Sequence, residues 1–149
     1  MEPKLPLAIV AGVLAALVGA VLWAAITVAT NHQIGFMAIG VGLLVGFAVA
    51  KLGAGSGATF GLVGAVCALL GCVLGNFFAG VGFLSNELGE SYFTVLSRFD
   101  GRMVVELLKE TFDGMDLLFY GIAVYEGFKL GSRDMTGRVT APESASGAA

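Results

Sequence analysis

Between Lys4 and Glu87 lie 82 residues, and Lys51 is the only charged one among them. A stretch that long without charge has no use for water. It matches repeated crossings of a hydrocarbon layer about 30 Å thick, each needing about 20 apolar residues. The remaining charge is pushed to one end: of 19 charged residues, 16 fall in positions 85–149. Charged residues make up 13% of the chain and mean hydropathy is +0.90, where a soluble domain carries about 25% charge. With pI ≈ 5.0 and net charge −3, the chain offers a nucleic acid no basic surface, so it is not read as a nucleic-acid binder. The expected class is all-α: a polytopic membrane protein with four transmembrane helices in an up-down bundle and the lipid bilayer as its first partner.

Three spans are delimited by their polar ends: 7–30, 34–50 and 58–84, of 24, 17 and 27 residues. The first is too long for the h-region of a secretory signal, usually 7–15 residues, and Glu2 offsets Lys4 in front of it, so it reads as a retained helix. A fourth span, 113–131, carries Asp116, Glu126 and Lys129. Charges inside a span cost about 2.5–3.5 kcal/mol each at the helix centre, and the alternative is a helix lying in the interface. The uncharged run from Leu118 to Tyr125 has no polar face and favours spanning. The linkers are short, Asn31–Gln33 and Leu52–Gly57, and short linkers make antiparallel neighbours.

With four spans both termini share a side. That side collects Lys4, Lys51, Lys129, Arg133 and Arg138, five positive residues against Arg98, Arg102 and Lys109 opposite. The positive-inside rule then sets both termini in the cytoplasm. Residues 90–112 form an extracytoplasmic amphipathic segment whose stripe runs Tyr92, Leu96, Phe99, Met103, Leu107 and Phe112, at helical spacing. Gly101 predicts a break into two helices, with Ser97-x-x-Asp100 as a cap for the second. The stripe either covers its own bundle or docks a partner; the former is the ordinary use of such a face. Residues 132–149 have the composition of a flexible cytoplasmic tail.

In lipid no hydrophobic drive holds helices together, so close backbone approach must do it. Small residues recur along one face of each span: Gly12, Ala16, Ala20 and Ala24; Ala38, Gly42, Gly46 and Ala50; Gly57, Gly61, Gly64, Ala68, Gly71, Gly75 and Ala79. These rows are the expected helix-packing positions, with one groove left for self-association.

Candidate chemistry is sparse. His32 is the only histidine and has no companion for a metal site, which takes three or four ligands. Cys67 and Cys72, five apart, point about 140° from each other and read as packing residues. The polar positions singled out are Gln33, Asn76, Asp116, Glu126 and Lys129. Asn76 is read as a cross-helix hydrogen bonder, and Glu126 with Lys129 as an i,i+3 ion pair at the cytoplasmic end. No catalytic set, phosphate loop or metal motif is present, so no enzyme activity, cofactor or metal is expected.

The blocks Trp23-Ala-Ala-Ile-Thr27, Gln33-Ile-Gly-Phe-Met-Ala-Ile-Gly-Val-Gly42, Gly46-Phe-Ala-Val49 and Asp116-Leu-Leu-Phe-Tyr-Gly-Ile-Ala-Val-Tyr-Glu126 resemble an uncharacterised family of small bacterial multipass inner-membrane proteins. The resemblance spans about residues 10–130 and implies a bacterial inner membrane and the four-span layout, with no activity or catalytic residue to carry over. The expected function is therefore that of a non-enzymatic membrane module: a scaffold, an accessory unit or a self-associating protein. The alternative is a subunit of a transporter or channel with an oligomeric pathway through Glu126.

Overall fold

The structure, a computed structural model, describes residues 4–30, 36–111 and 113–133. Its elements are six helices: α1 (Leu5–Thr30), α2 (Phe36–Gly53), α3 (Ala58–Leu88), α4 (Tyr92–Ser97), α5 (Gly101–Thr111) and α6 (Gly114–Gly131). No strand occurs among the described residues. Three helices, α1, α2 and α3, are long and apolar enough to cross a membrane. His32, Gln33, Phe112 of the amphipathic stripe and the tail from position 134 onward lie outside the described residues.

The helices are long because little in the sequence stops them. Pro6 sits in the first turn of α1, where its missing N–H costs nothing. The next proline is Pro142. Glycine ends helices where it takes left-handed backbone: Gly89, with φ 66°, closes α3 and its N–H donates to the Ser85 carbonyl. That is why α3 runs past position 84 to Leu88. Between α2 and α3, Ala54 and Gly57 both adopt positive φ, 52° and 96°.

Side chains start the later helices. Ser91 caps α4 by accepting from the Thr94 N–H at 3.2 Å. Asp100, rather than Ser97, caps α5 by accepting from Met103 N–H at 2.9 Å; the Ser97 hydroxyl instead donates to the Thr94 carbonyl at 2.7 Å, within α4. Asp113 caps α6 and Asp116 returns the bond to the Asp113 N–H, a complete capping box.

Residue size is distributed opposite to a water-soluble fold. Along α1 the buried positions are alanines and glycines plus Trp23 and Thr27. Leu14, Val18, Val21 and Leu22 stand more than half exposed. The same holds on α2 and α3, where Leu43, Phe47, Leu62 and Val66 face outward. Such a continuous apolar exterior needs lipid around it, since soluble monomers rarely expose patches beyond a few hundred Å².

The interior is closed by helices that nearly touch backbone to backbone. A Cβ on Gly42 would lie 2.6 Å from the Ala123 carbonyl oxygen, and one on Gly64 would overlap the carbonyl oxygen of Gly127. Two turns further along α3, a Cβ on Gly71 would meet Val41 at 2.6 Å and the Ala16 backbone at 3.3 Å. α2 and α3 touch each other, α1 and α6. The backbones of α1 and α6 do not approach, but Trp23 and Tyr120 reach across with ring centroids 6.3 Å apart.

Helix directions follow from the same contacts. Lys4 N–H donates to Gly53 O at 2.8 Å, so the start of α1 meets the end of α2. Gly12 faces Cys67 and Gly82 faces Val28, so α1 and α3 run the same way. Gly61 faces Phe128 and Gly64 faces Gly127, so α6 returns against α3.

Beyond the bundle, the far end of α3 carries α4 and α5. Val95 (2% exposed) and Val81 (0%) pack with Phe77, joined by Leu96, Phe99 and Leu107. Leu107 rests on Gly80, and Phe99 meets Phe77 edge-on at 5.4 Å. The apolar stripe of this segment thus turns mainly onto its own bundle, although Phe93 stays 79% exposed.

Two measurements check this packing. Gly64→Leu forces a side chain into a neighbouring backbone that cannot yield, costing about 3 kcal/mol or more. Gly40→Leu, whose Cβ meets nothing within 4 Å, should be silent; thermal unfolding in detergent separates them. Tyr92 donates to the Phe78 carbonyl at 3.0 Å, and burial raises its phenol pKa. The folded state thus favours the protonated phenol, a contribution fully present below pH about 10 and lost as pH rises through the folded value. The stability gap between wild type and Tyr92→Phe should therefore narrow on passing above pH 10.

Candidate functional site

The most polar place in the bundle core is where α1, α3 and α6 meet. Asn76, on α3, is 2% exposed. Its side-chain amide donates to the Tyr120 hydroxyl on α6. That hydroxyl in turn donates to the Cys72 carbonyl at 3.1 Å, one turn back along α3. Tyr120 therefore uses both capacities of its oxygen, once as acceptor and once as donor. The chain of two bonds fastens α6 to α3 halfway along the core, where lipid offers no competing partner.

Trp23 faces the same place from α1. Its indole lies over Gly75, where an added Cβ would meet the ring at 2.7 Å. Glycine at 75 thus makes room for the largest fully buried side chain. Trp23 Nε1 and Thr27 Oγ1, one helical turn apart, are both buried with no hydrogen-bond partner among the described residues. Asp116 is 5% exposed and accepts from the Asp113 N–H at 3.0 Å. It is therefore a helix-capping carboxylate turned toward the core. Asp113-x-x-Asp116 ahead of an apolar run was the signal for it in the sequence.

The other singled-out positions fall elsewhere. Glu126 is half-buried on α6, and its carbonyl oxygen lies 3.1 Å from where a Gly46 Cβ would be. It does not pair with Lys129: among the described residues the ion pairs are Arg98–Glu90 at 2.6 Å and Arg102–Glu106 at 3.6 Å. Lys129 Nζ lies over the Tyr125 ring at 5.7 Å instead, an attraction that an exposed site can keep. Asp116 and Glu126 lie ten residues apart along α6, so Asn76 and Asp116 share the core polar region and Glu126 and Lys129 do not.

Of the expected packing glycines, Gly42, Gly46, Gly61, Gly64, Gly71 and Gly75 all sit where a Cβ would collide with a neighbouring helix. Gly57 does not join them. It is exposed with open space around its Cα, serves as a turn residue at φ 96°, and its N–H donates to Ser132 O at 2.9 Å. The first position of the apparent stripe falls in the linker, where glycine answers to backbone dihedral instead of contact.

Cys67 and Cys72 are free and buried; the Cys67 sulfur fills the space over Gly12. Among the described residues no three His, Cys, Asp or Glu side chains cluster as metal ligands would. What the arrangement can do chemically is hold: a buried amide, a phenol and a backbone carbonyl lock two helices in register. A double-mutant cycle on Asn76→Leu and Tyr120→Phe in detergent unfolding should return a coupling of about 0.6–1.7 kcal/mol. Additive losses would place the two side chains in separate environments.

No known protein family matches this chain, and no characterised protein or solved structure matches it.

Proposed function

We propose that this chain is a non-enzymatic integral membrane protein, a scaffold or accessory module with four spans and both termini in the cytoplasm of a bacterial inner membrane. The observation that carries the reading is the reversed distribution of size, with alanine and glycine inside and leucine, valine and phenylalanine outside. Such a body is built to be solvated by lipid and to pack without a hydrophobic drive.

The fourth span is supported by the fit of α6 between α2 and α3. Its 18 residues give about 27 Å at 1.5 Å per residue. Lys129 lies in its last turn, where a long charged side chain can reach the interface, and Asp116 in its first turn is held by the capping box. Antiparallel contacts of α2 with α1 and of α6 with α3 support the up-down order.

The packing glycines are taken up by contacts within the chain, which favours an accessory role over self-association through them. The surface left for a membrane-protein partner is the α4–α5 cap, with exposed Phe93 and charges of both signs. A second reading, a transporter or channel subunit, draws support from Glu126, a half-buried carboxylate on α6.

The test combines topology and association. Reporter fusions should put both termini on one side and the 89–112 segment on the other, with the chain resisting carbonate extraction. Crosslinking in native membranes through a photoreactive residue at Phe93 should capture a second protein. Monomer alone, together with proteoliposome flux abolished by Glu126→Gln, would replace the module reading with the transport one.

A further inference from the structure

Charge in the folded body is sorted by end. The turn at 53–57 gathers the start of α1 and the ends of α2 and α6: Lys4 N–H donates to the Gly53 carbonyl at 2.8 Å, and Gly57 N–H to the Ser132 carbonyl at 2.9 Å. Gly42 faces Ala123 and Gly46 faces Gly127, so α2 and α6 run side by side in one direction and finish here together. Lys4, Lys51, Lys129 and Arg133 all stand at this end, and all four are exposed. Among the described residues the one acidic side chain at this end is Glu126, half-buried and three residues inward of Lys129. The other described acids lie between Glu87 and Asp116, at the opposite end, where Arg98 and Arg102 pair with Glu90 and Glu106. No ion pair among the described residues neutralises any of the four cations.

Two of these cations are held on the side of the bundle rather than on its end face. Lys51 Nζ lies 5.4 Å from the centroid of the Phe47 ring on α2, and Lys129 Nζ 5.7 Å from that of Tyr125 on α6. Both rings are exposed on the apolar exterior, Phe47 beside Leu43 and Leu44. A ring in hydrocarbon with an ammonium over it near the helix end is how a long side chain keeps its stem in lipid and its charge at the phosphate layer. The two lysines stand on touching helices at similar depth. Lys51 is five residues past Gly46 and Lys129 two past the facing Gly127, a difference of about 4.5 Å along the axis at 1.5 Å per residue. A cation at that level on the perimeter meets a phospholipid headgroup, whereas a soluble protein would have to displace lipid to reach it.

We propose that Lys51 and Lys129, with Lys4 and Arg133 adding to the local field, bind the headgroup of an anionic phospholipid at this end of the bundle. The phosphate is the group they recognise. A zwitterionic lipid presents the same phosphate together with its own cation, which four positive side chains repel; a lipid of net negative charge brings no such penalty. Each cation close to a membrane surface adds about fivefold to the preference for anionic lipid. The bundle is thus solvated without preference along most of its length and selectively at one rim.

The inference rests on the membrane reading above, and the two fail separately. A chain that washes out of membranes never reaches the assay, whereas one that stays in them without preferring a headgroup sinks the site alone. The full chain is reconstituted with equal amounts of phosphatidylglycerol and phosphatidylcholine carrying the same acyl chains. It is then extracted in mild detergent, and native mass spectrometry reads the ratio of the two lipids retained. Wild type should keep phosphatidylglycerol in preference, and about 0.5 M NaCl during extraction should erase the difference by screening. Lys51→Gln and Lys129→Gln, both at exposed positions, should each lower the ratio about fivefold while leaving thermal unfolding unchanged. Lys109→Gln, exposed at the opposite end, should leave the ratio as it is. The protein in phosphatidylcholine bilayers is also titrated with polyglutamate. Equal retention of the two lipids, or a ratio that neither Lys51→Gln nor Lys129→Gln moves, would overturn the assignment. So would polyglutamate binding that these variants abolish in place of a lipid preference, which would give the rim to an acidic protein.

Discussion

Everything in this bundle depends on helices meeting through bare backbone. At Gly64 and Gly127 each residue leaves a space that the opposing carbonyl occupies, and neither could carry a methyl group without moving a helix. In water such a contact would be a weak way to hold a fold, because leucine and valine bury more area. In lipid the comparison reverses: tails solvate a leucine as well as a protein interior does, so what remains is dispersion between close surfaces and the hydrogen bonds that lipid cannot make. Small residues inside and large ones outside are the result.

The polar contacts sit on that foundation. Asn76 and Tyr120 bond across the same pair of helices, α3 and α6, whose backbones approach closely at Gly64 and Gly127. Trp23 lies flush against α3 because position 75 has no side chain. Packing and hydrogen bonding are therefore not separate contributions in this protein. A bulkier residue at one of these glycines would also pull the nearby polar partners apart.

Much of this was legible before any coordinates. A near-absence of charge over 82 residues announces helices that want lipid, and glycine or alanine every third or fourth position marks the faces that meet. Asn76 was recognisable as a polar side chain in an apolar helix. What was not legible has physical reasons. Gly57 continues the spacing of the α3 row, but spacing cannot distinguish a contact glycine from one required by a positive φ. Glu126 and Lys129 have the separation of an ion pair, yet Lys129 finds the Tyr125 ring, and sequence spacing does not rank a carboxylate against an aromatic face. Asp116 reads as a charge at a span end, and its burial follows from the capping box that turns it inward.

Gly57 also ties distant parts of the chain together. Its N–H holds the Ser132 carbonyl just past α6, while Gly53, four residues earlier, accepts from Lys4 just before α1. One short turn thus staples the beginning and the end of the folded body. The first three helices emerge from the ribosome with the α6 seat on α2 and α3 still vacant, and α6, the most charged of the long helices, arrives last. Its seating is therefore best viewed as docking onto an already assembled template: a chain cut short before Gly114 would leave the cleft beside α2 and α3 lined by the bare backbone of Gly42, Gly46 and Gly64.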